Sequence, residues 1–148
     1  MAFDFDIENI SLDGFQVVKS TYFGRQTDPA MTIWRSAIAF NTASHEALNN
    51  CETIELRVNE KAKSILIKPI SSKDSEPIPW KKGKEKSKTN RLECSKFAKH
   101  LFDTWNLAPE FHYRTTGKLV QCDRKIMLLF DFSKHEVWSG SKLVKENG

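Results

Sequence analysis

From residue 53 to residue 69 the chain alternates apolar and polar side chains on both sides of a short charged turn, a period that only paired extended strands satisfy. Ile54, Leu56 and Val58 fall on one face, and Thr53, Glu55 and Arg57 on the other. Asn59-Glu60-Lys61-Ala62 supplies the turn, and Ser64-Ile65-Leu66-Ile67-Lys68 returns until Pro69 removes a backbone donor. An antiparallel hairpin is predicted. Glu55 and Arg57 sit on its polar face, placed to pair across the strands at little energetic gain.

The other elements are read around this hairpin. Phe3, Phe5 and Ile7 alternate with acids, which predicts a short edge strand, and residues 15–19 predict a second strand after Gly14. A loop covers residues 24–29, a strand residues 32–40, and a short helix residues 42–49, capped by Asn41 or Thr42 and closed by Asn49-Asn50. Apolar periodicity disappears over residues 70–89, where Ser, Pro and Lys dominate, and a mobile connection is expected. Asn90 and Glu93 resemble a capping box. Behind them Cys94, Phe97, Ala98, Leu101, Phe102 and Trp105 recur at helical spacing, predicting a long amphipathic helix that ends at Asn106 and Pro109. Beyond it the pattern predicts a strand at 111–114, a turn at 115–117, a strand at 118–122, and a tight turn at 123–125. A central strand apolar on both faces follows at 126–132, then an edge strand at 135–138 and a frayed tail from 139. The fold class is α+β: antiparallel sheet or sheets, one long amphipathic helix and one short helix. Residues 1–148 form a single domain, with two helix-plus-meander halves (1–70 and 90–138) joined by the basic loop 71–89.

With 39% hydrophobic residues, ten Phe and four Trp, a chain of 148 residues can build a normal core. No apolar run reaches the roughly 18 residues of a membrane span. The first residues are acidic where a secretion signal is basic. Cys51, Cys94 and Cys122 are odd in number and lack metal-ligand spacing, so free thiols and a cytoplasmic location are expected.

Charge supplies the functional reading. Lys81, Lys82, Lys84, Lys86, Lys88 and Arg91 crowd into residues 80–91 with Glu85 as the only acid. The segment carries a formal +5 against +4 for the whole chain, so the positive excess is local. Such a focus attracts a polyanion, and lysine point charges suit phosphate better than base edges. Trp80 is placed to stack on an unpaired base, and Lys96 and Lys99, with His100 nearby, extend the positive surface along the polar side of the helix. Arg114, Lys118, Arg124 and Lys125 add charge near turns. The acids Asp4, Asp6, Glu8 and Asp13 offer a way to mask the loop.

Within residues 36–69 the order is strand, Asn/Thr-capped helix, alternating strand, charged turn, and a strand ending Ile65-Leu66-Ile67-Lys68-Pro69. This resembles AbrB-type swapped-hairpin transcription regulators, which implies a dimer binding DNA through basic surfaces. Where that family has Gly-Asp before its second hairpin, Asn50-Cys51-Glu52 stands here.

The four histidines and three cysteines are scattered, without zinc-module spacing, and no GxSxG elbow or glycine-rich phosphate loop occurs. No cofactor or metal is expected. Asp28, Glu55, Arg57 and Lys68 superficially follow the acid, acid-x-Lys order of one nuclease class, with Arg where that class has Lys. The sequence thus predicts a small non-enzymatic nucleic-acid-binding protein, regulatory or encoded by a mobile element. The alternatives are a module or inhibitor presenting the loop to an acidic protein surface, and a metal-dependent nuclease.

Overall fold

The computed structural model describes residues 8–17, 28–71, 73, 76–80 and 91–145. In chain order the elements are β1 (Ala30–Ile33), β2 (Ala37–Phe40), α1 (Thr42–Ala47), β3 (Thr53–Asn59), β4 (Ser64–Pro69) and β5 (Ile78–Pro79). They continue with β6 (Arg91–Glu93), α2 (Ser95–Thr104), β7 (His112–Cys122), β8 (Lys125–Asp131), β9 (Glu136–Ser139) and β10 (Lys142–Lys145).

These elements overturn the α+β expectation. The described residues form a predominantly antiparallel sheet of ten strands with two short helices. The long helix shrinks because Arg91, Leu92 and Glu93 pair with Ala39, Ile38 and Ala37 as an edge strand. Ten-residue α2 starts behind them, at Ser95. Glu93 therefore closes no capping box; the N-cap is Cys94, which makes no side-chain cap bond, and Asn90 lies outside the described residues. The strand read over 32–40 is two strands folded at Trp34, whose amide donates to Ala37 O at 2.8 Å. Thr115-Thr116-Gly117 is not a turn but the middle of eleven-residue β7. Residues 136–139 pair on both sides, with β7 and with β10, so β9 is not an edge and the tail is ordered to Lys145. Phe15 and Val17 are exposed and outside any strand; the edge strand expected over 3–8 falls outside the described residues except for Glu8.

Local chemistry explains what did form. Asn41 caps α1: its Oδ1 accepts from Ser44 N at 2.9 Å and from Ala30 N at 2.9 Å, tying the helix start to β1. Asn49 and Asn50 end that helix with positive φ, a conformation Asn tolerates. Asp123 and Arg124, both at positive φ, make the tight turn between β7 and β8. Ile65 and Ile67 of β4 face the core beside Phe130 and Leu128 of β8. Glu55 pairs with Arg57 along its own strand, not across the hairpin.

The strands follow the order β5-β3-β4-β8-β7-β1-β2-β6, with β9 on β7 and β10 on β9. Although β5 and β6 lie at opposite ends of this path, Ile78 and Leu92 line one groove of about 690 Å³, so the sheet curls until its ends approach. The core fills the inner face with Met31, Ile33, Phe40, Ile54, Ile65, Ile67, Leu128 and Phe130, and α2 adds Leu101 and Phe102. Gly117 is required where β7 crosses β8: a Cβ there would lie 2.6 Å from Phe130 Cε1.

β8 and β9 run consecutively along one edge of β7. Gly117 faces Phe130, yet Arg114 faces Glu136, so the β8–β9 side carries three extra residues. Thr115 holds this bulge, its buried hydroxyl lying 2.8 Å from Lys134 O and 3.1 Å from Asp131 O. Thr115→Val keeps the shape and removes the donor. It is expected to cost about 1–3 kcal/mol in chemical denaturation, the penalty for a carbonyl left without its partner.

Candidate nucleic-acid interface

Alternation along the strands sends one residue in two away from the core, and on that outer face four side chains meet from four segments. Ile33 points inward, so Trp34 points outward beside His112 of β7, with ring centroids 5.4 Å apart and 29° between planes. His112 pairs in register with Trp138 of β9, at 6.4 Å and 17°. At the other end the guanidinium of Arg91, on β6, lies over the Trp34 ring 4.9 Å from its centroid. The result is a ladder, Arg91–Trp34–His112–Trp138, crossing the sheet perpendicular to its strands. All three rings are partly exposed.

Carboxylates hold its ends. Trp138 Nε1 donates to Glu136 Oε1 at 3.0 Å, and the same carboxylate lies 3.5 Å from an Arg114 nitrogen. Arg91 Nε pairs with Glu93 Oε1 at 3.0 Å, which uses one corner of the guanidinium's donor fork. From the ladder, the outer face of β7 continues through Arg114 and Thr116 to Lys118, and the turn beyond carries exposed Arg124 and Lys125.

Burial holds the His112 imidazole below its ordinary titration range, because charging the ring there costs hydration. The unfolded chain therefore gains its proton at higher pH than the folded one. The contribution to stability is complete above the unfolded value of 6.5 and is lost as pH falls below it. Denaturation midpoints measured from about pH 8 down to about pH 5 should decline at the acid end, and His112→Phe should flatten that decline.

Of the residues singled out from sequence, Arg91 heads the ladder, and Lys96 and Lys99 are exposed on α2. Lys81, Lys82, Lys84, Lys86 and Lys88 lie outside the described residues. Trp80 requires a correction. It is 1% exposed, stacked on His45 at 4.2 Å and set edge-on against Phe40 at 5.2 Å, so it is a core residue that presents no face to a base. Sequence reasoning missed Trp34, His112 and Trp138. The available signal was a tryptophan beside a core position, Ile33-Trp34 and Val137-Trp138, where alternation turns the indole outward.

No three metal-binding side chains gather among the described residues. Glu55 of the acid–acid–Lys pattern is engaged by Arg57. Cys51, Cys94 and Cys122 are free, and burial pushes the first two thiols up, away from the reactive thiolate. No helix among the described residues is long and apolar enough to cross a membrane. Comparison with protein-family models, curated proteins and solved structures gives no match for this chain.

Proposed function

We propose that this is a non-enzymatic protein that binds single-stranded nucleic acid, with the outer-face ladder receiving bases and the Lys-rich segment receiving phosphates. One observation carries the reading: Arg91, the last cation of that segment, caps the ring ladder Trp34–His112–Trp138. Aromatic faces stack on any base, while lysines neutralise backbone charge without reading sequence. Lys118, Arg124 and Lys125 would extend the phosphate track along β7. Trp80 has no part in it.

Anisotropy titrations with labelled oligo(dT), oligo(U) and a duplex of equal length test the reading. The single strands should bind more tightly than the duplex, with log affinity falling linearly with log salt. Replacing Lys81, Lys82, Lys84, Lys86 and Lys88 by alanine should flatten that slope by roughly 0.7 for each phosphate that is no longer neutralised. Absence of binding even at low salt rejects the proposal.

A further inference from the structure

Residues 8–17 carry four large apolar side chains in the open: Ile10 is 68% exposed, Leu12 77%, Phe15 70% and Val17 96%. The segment nonetheless has local order. Phe15 N donates to Leu12 O at 3.0 Å, Gly14 takes a φ of +85°, and Asp13 N donates to Ser11 Oγ at 3.1 Å. Glycine with positive φ at the third position defines a tight turn, so Leu12 and Phe15 stand at its two corners with Asp13 between them. A preformed apolar knuckle without cover is costly to leave in water and inexpensive to order on binding.

The same chain carries a matching receptor. A pocket of about 330 Å³ opens where β4 and β10 diverge from the continuous β8–β9 edge. Trp105, Phe111, Tyr113 and Phe132 line it, and Lys63 and Lys145 add two cations. Val144, 49% exposed, extends its apolar surface onto β10, which pairs on one side only among the described residues. An aromatic wall suits Phe15, and the two lysines suit Asp13 and Glu8. Phe15 and Leu12 are exposed and do not line this pocket within their own chain, which leaves both surfaces open to a second copy.

We propose that a second copy of this chain is the occupant: the 8–17 knuckle of each protomer seats Phe15 in the Trp105–Phe132 pocket of the other, forming a closed two-fold dimer. The inference is independent of nucleic-acid binding, since none of these residues belongs to the ladder. Analytical ultracentrifugation of the full chain across a concentration series should show a species near twice 17.0 kDa. Phe15→Asp, at a site whose exposure leaves folding intact, should return it to the monomer. Lys63→Glu with Lys145→Glu should do the same, and adding Asp13→Lys to that pair should restore the dimer. A wild type that stays monomeric throughout, or a dimer that persists in Phe15→Asp, overturns the proposal.

Discussion

Trp80→Ala is expected to destabilise the protein by about 3–5 kcal/mol, the range for emptying a large aromatic site in a core. The indole is stacked on His45 and packed edge-on against Phe40, and the Trp80 backbone N–H donates to Glu52 O at 2.7 Å. It joins α1, β2 and the start of β3 from a segment that otherwise contributes only two-residue β5. A cavity there cannot collapse without moving all three. Guanidinium denaturation of Trp80→Ala beside Trp80→Phe provides the check. The phenylalanine variant keeps most of the packing and removes an Nε1 that is buried without a hydrogen-bond partner among the described residues, so its destabilisation should be well under half that of alanine. A surface residue that stacks on bases would behave in the opposite way, with stability changed by less than about 0.5 kcal/mol and affinity for single strands reduced.

The second large effect concerns the ladder. Trp34→Ala and Trp138→Ala are each expected to lower affinity for oligo(dT) by roughly 5- to 150-fold, corresponding to about 1–3 kcal/mol per stacked base. The fold should survive, because cross-strand aromatic pairs on an open sheet face contribute only about 0.2–1 kcal/mol each. Trp34 also aligns the Arg91 guanidinium, so its removal should weaken the salt dependence as well as the affinity. Trp138 is held through Glu136, whereas the cation over a ladder ring among the described residues lies on Trp34, so removal of Trp138 should leave the salt slope closer to that of the wild type. Anisotropy titrations at two salt concentrations distinguish the two variants. Unchanged affinity in both would remove the ladder from any binding role and leave the Lys-rich segment alone.

Local pattern revealed the elements whose causes are local. The β3–β4 hairpin formed where period-two alternation met a charged turn, and α1 formed where Asn41 offered a capping oxygen. The positive-φ turn at Asp123-Arg124 and the inner strand β8 were equally legible. The failures were pairings that local pattern does not encode. Arg91-Leu92-Glu93 reads as a first helical turn by spacing, yet the open edge of β2 supplies hydrogen bonds that a frayed helix start lacks. Thr115-Thr116-Gly117 reads as a turn by composition. In the fold Thr115 clamps a bulge and Gly117 makes room for the Phe130 ring. The residues from Ser139 onward read as a tail, yet Lys142–Lys145 become β10 because β9 has a free edge to offer.

The candidate site divided along the same line. Its charge was visible in the sequence, because clustering of lysines is a one-dimensional property. Its rings were not, because Trp34, His112 and Trp138 come from three separate segments that are brought into one row only by the registers of β1, β7 and β9. Trp80 was misplaced for the converse reason. It sits in polar, lysine-rich sequence, but β5 pairing with β3 carries it to the core.

The amino-acid sequence alone determined the hairpin, the short capped helix, the quantity of apolar material and the location of the excess positive charge, since each depends on neighbours within a few residues. Tertiary structure decided which edges paired, how far the sheet curled, which tryptophans faced water and which lay inside. Those outcomes depend on backbone hydrogen bonds and packing between residues distant in the chain, whose worth is set only when the partner strand is in place.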